Sequence, residues 1–268
     1  MPILAIVLVL AVLQGLTEYL PVSSSGHLVL AKHFLPGGEN LSADASLEVL
    51  LHVGTLASVL LFYRKRVWKL AMGFFGQGDD VPEQRRLVWL LLVASIPAGL
   101  IGFTLEGQIG RLFASPLPAS IALLFTGCVL WYAKRLKVDG DELTALTWKG
   151  ALLMGCVQAF AILPGISRSG MTIVTGLRLG LSAADAAAFS FLMSIPAILG
   201  AALLKLGDLD TDHGMGAMEI SLALGASFLV GFGALGLLVW LTRQRKLHLF
   251  APYCWVVGGV ALIFSLLR

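Results

Sequence analysis

The chain has 268 residues, 57% of them hydrophobic and 13% charged, with a formal net charge of +3 and a mean hydropathy of +0.88. A water-soluble domain carries about a quarter charged residues, so this chain has too little polar surface to coat a globule in water. The solvent must be lipid, and one integral membrane domain over residues 1–268 is expected.

Apolar stretches near the length needed to cross a bilayer recur along the whole sequence. They lie at 2–13, 47–63, 87–105, 117–133, 187–206, 219–242 and 249–267. Two shorter runs, 150–163 and 171–181, predict broken or re-entrant elements. The first stretch has neither a basic leader nor a small-x-small cleavage site, so it is expected to be retained rather than removed as a signal peptide. Cys128, Cys156 and Cys254 are scattered through apolar runs without CxxC spacing, and read as small core residues rather than as disulfides or metal ligands.

Charge is sorted along the chain. Arg64, Lys65, Arg66 and Lys69, then Arg85 and Arg86, then Lys134, Arg135, Lys137 and Lys149, then Arg243, Arg245 and Lys246 hold most of the 19 basic residues. Such clusters at span ends mark cytoplasmic loops. Trp68, Trp89, Trp131, Trp148 and Trp240 lie beside them as an interfacial belt would. Four separated clusters are not a nucleic-acid surface, and no nucleic-acid partner is expected. On this assignment 47–63 runs from outside to inside, and so does 219–242. Segment 187–206 runs the opposite way, and the loop holding Asp208, Asp210 and Asp212 is external. That acidic loop lacks the glycine and closing glutamate of a calcium-binding EF-hand.

An internal duplication is visible. The run Gln14 to Gly26 (QGLTEYLPVSSSG) resembles Gln158 to Gly170 (QAFAILPGISRSG). A constant offset of 144 relates the glutamines, Ser23 to Ser167, Ser25 to Ser169 and Gly26 to Gly170, with the proline displaced by one. The long spans that follow the two copies have opposite predicted directions. The fold expected is therefore an all-α polytopic membrane protein with an inverted-topology repeat, repeat one about 1–105 and repeat two about 117–268. In such folds broken helices meet at a site near the midplane.

The repeated segments place Pro, Ser and Gly at membrane depth, where irregular backbone persists only if it is buried in protein or lines a wet cavity. A Ser/Gly turn that opens a helix aims backbone N–H groups at one point, an arrangement suited to phosphate. Ionisable groups join the turns. Glu18 shares a helix face with Gln14, His27 follows the first turn, and Arg168 sits in the second. Intramembrane ionisable groups are costly and point to function. A buried Glu18–Arg168 pair locking the halves together is a structural alternative, although it leaves the serines and His27 without a role. Glu48 and His52 form a weaker i, i+4 pair at the outer end of 47–63. The set suits phosphoryl transfer: Arg168 to clamp phosphate, Ser24 or His27 as nucleophile or general acid/base, and Glu18 to activate a neighbour or hold a cation.

At these residues the sequence resembles the bacitracin-resistance family of undecaprenyl-diphosphate phosphatases. Gln14, Glu18, Pro21, Ser23, Ser24, Gly26 and His27 match that family's (E/Q)xxxE and PxSSxGH elements. Pro164, Gly165, Ser167, Arg168, Ser169, Gly170 and Thr172 match PGxSRSGxT. The resemblance implies hydrolysis of undecaprenyl diphosphate to the monophosphate, recycling the carrier for peptidoglycan synthesis and conferring bacitracin resistance. It implies Glu18, Ser24, His27 and Arg168 as the catalytic set. Gln14, Ser23, Ser25, Gly26, Ser167, Ser169, Gly170 and Thr172 would contact the substrate. A Mg²⁺ or Ca²⁺ requirement follows, with Glu18 as metal ligand. Gln14 stands where some members carry Glu, which weakens that cation site. The partners implied are a polyprenyl diphosphate and membrane lipids, with homodimer formation left open. The location implied is the bacterial inner membrane, with the site facing the periplasm. The competing function is a secondary transporter or lipid flippase, since broken-helix inverted repeats also build transporters.

Overall fold

The computed structural model describes residues 3–34, 45–205 and 216–267. The Asp208, Asp210 and Asp212 loop lies outside these, and so does the side chain of Glu48. The first repeat opens with α1 (Ile3–Tyr19), a tight turn, and α2 (Ser24–Phe34), followed by α3 (Ala45–Phe62). A short basic helix, α4 (Arg64–Phe74), leads into α5 (Val81–Thr104), α6 (Glu106–Phe113) and α7 (Pro116–Tyr132). After α7 come α8 (Trp148–Phe160), α9 (Arg168–Arg178), α10 (Ala183–Lys205), α11 (Ala217–Arg243) and α12 (Ala251–Leu267). Each expected apolar stretch is a helix, and no strand forms among the described residues beyond an isolated bridge between Asp141 and Leu181.

Five of these segments, Val81–Thr104, Pro116–Arg135, Ala183–Leu203, Ala217–Arg243 and Leu247–Leu267, are long and apolar enough to cross a bilayer, with shorter apolar helices at Leu4–Tyr19 and Val49–Phe62. The chain is an all-α, multi-pass membrane protein. By contrast α8 and α9, with 13 and 11 residues, rise only about 20 and 16 Å against a hydrocarbon core of about 30 Å. They form the broken element predicted from the short apolar runs. Shifted by the repeat offset, α2 falls on the bounds of α9.

Packing exchanges the two halves. Helix α1 packs on α11 and α8 packs on α5, while α3 lies against α10 and α7 against α12. Glycine lets the backbones approach at these seams. A Cβ at Gly15 would fall 2.9 Å from the Val230 side chain, and one at Gly155 would fall 2.3 Å from the Ala94 carbonyl oxygen. Helix α1 runs alongside α11 in the same direction. Its early residues Ile6, Val7, Leu10 and Ala11 cluster with Ala223, and Tyr19 reaches Gly231, near the middle of α11. The end of α1 thus lies about 20 Å along a membrane-spanning helix, which puts its polar residues at mid-bilayer depth.

The basic ends form a second landmark. Trp68, Trp89, Trp131, Trp148 and Trp240 are all exposed, and Lys134, Lys149 and Lys246 lie over the rings of Trp131, Trp148 and Trp240. Asp185 is engaged there on two sides. Its N–H is capped by Ser182 Oγ at the start of α10, its carboxylate accepts from the same hydroxyl, and it pairs with Arg66 at 3.4 Å.

Candidate active site

The two Ser/Gly turns are built alike. In the first, Ser23 Oγ accepts the Gly26 N–H at 3.2 Å and lies 3.3 Å from Ser25 Oγ. In the second, Ser167 Oγ accepts the Gly170 N–H at 3.1 Å and lies 3.3 Å from Ser169 Oγ. Each serine caps a short helix, α2 or α9, taking up the Gly26 or Gly170 N–H and leaving the two preceding N–H groups and the positive helix end for an anion. The turns also join each other. The Gly165 N–H donates to Ser23 Oγ at 3.1 Å, and a Cβ on Gly26 would meet Gly165 Cα at 2.8 Å. Two residues in left-handed conformations make these bends, Gly165 at φ +94° and Ser23 at φ +68°. Glycine adopts that region freely, whereas a serine must be held there. The His27 Nδ1 contact to the Ser23 carbonyl at 2.8 Å and the two amides on Ser23 Oγ supply that hold.

Glu18 is the hub. It sits on the last turn of α1, 8% exposed, and its carboxylate gathers four side chains. Arg168 Nη2 donates to Oε1 at 2.5 Å, Ser24 Oγ to Oε2 at 2.7 Å, and Gln14 Nε2 to Oε2 at 3.1 Å. His52 Nε2 from α3 lies 3.6 Å from Oε2. The Glu18–Arg168 pair therefore bridges the repeats, and Ser24 adds a hydroxyl to the same carboxylate. Tyr19 fixes the end of α1 by donating to the Thr55 backbone carbonyl and setting its ring edge against Phe191 at 5.5 Å. Ser24, Ser25, Arg168 and His52 are half-buried, while Gln14, Ser23, Gly26 and His27 are buried behind them. The opening thus exposes one hydroxyl pair and one guanidinium.

His27 stands apart from this hub. A carbonyl only accepts, so Nδ1 carries the proton that goes to Ser23, and Nε2 accepts from the Tyr253 hydroxyl at 2.8 Å. The two rings stack with centroids 5.6 Å apart. Thr172 is fully buried, with its hydroxyl 2.7 Å from the Arg168 carbonyl and 2.6 Å from Ser190 Oγ of α10. Ser169 donates to the Leu20 carbonyl at 3.5 Å. These two support the turn that carries Arg168, which also donates to the Ser190 carbonyl at 3.5 Å.

The residues fit a divalent cation in one respect. Gln14 Oε1 is buried without a partner beside the Glu18 carboxylate, and an orphaned amide oxygen next to a carboxylate and a hydroxyl is a hard oxygen donor set. No cluster of three or more His, Cys, Asp or Glu exists among the described residues. A cation here would draw its remaining ligands from water and substrate phosphates, the usual habit of Mg²⁺.

Sequence reasoning missed three participants. Tyr253, Ser190 and Thr126 are single polar residues in long apolar helices and carry no local signal. Thr126 accepts the Ser167 N–H at 3.1 Å and donates to the Gly165 carbonyl at 2.8 Å, so α7 clamps the second turn. His52 was visible as half of an i, i+4 pair, but nothing in its spacing placed it beside Glu18.

Known proteins resemble this chain over nearly its whole length. A family model, Bacitracin resistance protein BacA, matches residues 7–260. A protein of Syntrophotalea carbinolica named undecaprenyl-diphosphatase is 42% identical, covering 96% of this chain and 97% of its own length. Proteins of the same name from Rhodopirellula baltica and Methanobrevibacter smithii are 41% and 38% identical, each over 97% of this chain and 97% and 96% of their own lengths. Two long motifs, their convergence on one carboxylate and a match over nearly the whole length lead to one conclusion: this chain belongs to the bacitracin resistance protein BacA family.

Proposed function

We propose that this protein hydrolyses undecaprenyl diphosphate to undecaprenyl phosphate and inorganic phosphate. The observation that carries the proposal is the meeting of Ser24 from one repeat and Arg168 from the other on the two oxygens of Glu18. A nucleophile, its base and a phosphate clamp then lie within one hydrogen-bond radius, and the related proteins bear the matching name.

In this reading the diphosphate enters at Ser24, Ser25 and Arg168. Arg168 leaves Glu18 for the phosphate oxygens, a bidentate contact of the kind guanidinium favours. The N–H groups at the starts of α2 and α9 bind the charge that develops on phosphorus. Ser24 Oγ, relieved of its proton by Glu18, attacks the terminal phosphorus, and the bond to the bridging oxygen breaks to release the lipid monophosphate. Glu18 passes that proton to the departing lipid phosphate and, ionised again, takes a proton from the water that attacks the phosphoserine. The Ser24 oxygen leaves phosphorus and recovers the proton from Glu18, giving inorganic phosphate and the free serine. Glu18 and Gln14 Oε1 would hold a Mg²⁺ ion, which supplies neutralisation of phosphate charge. His27, with both ring nitrogens engaged, orients the Ser23 turn, and Tyr253 holds its tautomer. The 2.7 Å contact from Ser24 to Glu18 supports Ser24 as nucleophile over His27.

With the basic helix ends on the cytoplasmic side, α1 and α2 enter from the opposite face, so the site opens toward the periplasm of an inner membrane. Recycling of the carrier and bacitracin resistance follow from the reaction. A carrier or flippase would need Arg168 and the turns, but not a serine hydrogen-bonded to a buried carboxylate. Release of one phosphate per diphosphate consumed by the purified protein in Mg²⁺, with the monophosphate as second product, tests the reaction. Label from the terminal phosphate trapped on Ser24 supports the serine route. Label on His27, or on no residue, refutes it, and tight binding without release would mean transport instead.

A further inference from the structure

A second site lies at the basic ends of the helices, far from Glu18 along the chain and unused by the reaction above. Between the starts of α5 and α8 runs an open groove of about 800 Å³, walled by Arg85, Arg86, Trp89 and Trp148 and floored by Leu90 and Val93. Both tryptophans are exposed at the level of the interfacial belt. The groove is mostly apolar along its length and strongly basic at one end.

The basic end is organised. Arg86 is held by the carbonyls of Thr144 at 2.8 Å and Leu146 at 2.5 Å, and Arg85 Nε donates to the Phe74 carbonyl at 3.4 Å. Guanidinium has five donors, so both arginines keep free N–H groups. Lys149 lies 5.7 Å over the Trp148 ring at the first turn of α8, and Thr147 caps that helix. Two cations at these ends find carboxylates, Arg66 on Asp185 and Arg245 on Asp139, whereas others such as Lys65 and Lys69 are exposed, without an ion pair among the described residues, and away from the groove. Among the described residues, Arg85, Arg86 and Lys149 form no ion pair. Three cations and a positive helix end without an anion, beside a strip of apolar surface leading into the bilayer, are complementary to one kind of molecule.

We propose that this groove binds an anionic phospholipid of the surrounding leaflet, with its phosphate at Arg85, Lys149 and the start of α8 and an acyl chain along Leu90 and Val93. Trp89 and Trp148 flank the glycerol region, the level at which interfacial tryptophan settles. A bound lipid would brace α5 against α8, the helix that leads into the Gly165 turn and Arg168.

The test uses the full chain in detergent with equal phosphatidylglycerol and phosphatidylcholine, and native mass spectrometry to count retained lipids. Wild type is expected to retain phosphatidylglycerol in preference. Each cation lost weakens headgroup binding about five-fold, so Arg85→Gln with Lys149→Gln lowers phosphatidylglycerol retention about 25-fold and leaves phosphatidylcholine unchanged. Arg85→Lys with Lys149→Arg restores it, which separates charge from packing. Arg86 is left intact because it ties α5 to the loop before α8. Lys65→Gln with Lys69→Gln, equally basic but outside the groove, is expected to change retention less than about two-fold. No preference in the wild type, full retention in the groove variant, or equal loss in the Lys65/Lys69 control would overturn the assignment. So would displacement of the lipid by millimolar inorganic phosphate, which would make this a free-phosphate site.

Discussion

Replacing Glu18 by Gln separates the two roles given to this carboxylate. The substitution keeps the shape and the hydrogen-bonding capacity toward Gln14 and Ser24 but removes the charge facing Arg168. The Arg168 side chain is 16% exposed and cannot deprotonate, so it is left as an uncompensated charge at mid-bilayer depth. Such a charge costs about 3 kcal/mol, less whatever its residual exposure recovers. Arg168→Gln should cost somewhat less, about 2 kcal/mol, because the stranded Glu18 can be neutralised by a proton. The double variant leaves neither charge and should be no less stable than Glu18→Gln alone. The coupling energy expected from the cycle is therefore about 2 kcal/mol or more, read from reversible unfolding of the four proteins in mixed micelles. Additivity within about 0.5 kcal/mol would refute the claim that this pair ties the repeats. Activity should respond differently, with all three variants falling by at least about 100-fold, because relief of the stranded charge restores stability but not chemistry.

Other consequences follow from single contacts. Gly165→Ala combines a φ of +94° with a Cβ placed 2.2 Å from the Ala119 carbonyl oxygen, and should cost about 3 kcal/mol or more in the same unfolding assay; a neutral result would mean that the second turn is not held as described. Tyr253→Phe removes the donor to His27 Nε2 and should lower kcat about five-fold with KM little changed, in steady-state phosphate release. Chelation of divalent cations should abolish hydrolysis, and Gln14→Glu, which adds a second carboxylate beside Glu18, should lower the half-saturating Mg²⁺ roughly ten-fold. An unchanged Mg²⁺ dependence in Gln14→Glu would remove Gln14 from the cation site.

The helices were legible because lipid leaves no choice of pattern. A chain so poor in charge must satisfy its backbone internally, and each apolar stretch from 47–63 to 249–267 returned as a helix close to its expected ends, with one exception. The helix expected from 87 begins at Val81, where Asp80 and Pro82 open it ahead of the apolar run. The short runs at 150–163 and 171–181 were equally informative, since a helix too short to cross must be broken. The site was legible as two motifs but not as one geometry. Spacing placed Gln14 with Glu18, because i, i+4 fixes a face. Only packing could bring Arg168 to Glu18 across 150 residues of chain. His27 looked like a nucleophile candidate from its place after the serines, yet its nitrogens turn to Ser23 and Tyr253. That outcome depends on α12 arriving beside α2, which no local pattern encodes. Thr172 likewise matched a motif, and its hydroxyl is taken up by Arg168 and Ser190.

Phosphate release from undecaprenyl diphosphate by the purified protein in Mg²⁺, measured beside Ser24→Ala and Arg168→Ala, tests most directly whether the two turns form one hydrolytic site. The account predicts turnover by the wild type and a fall of at least about 100-fold in each variant, with both variants still folded. Turnover retained by either variant, or none from a folded wild type that still binds the diphosphate, would contradict it.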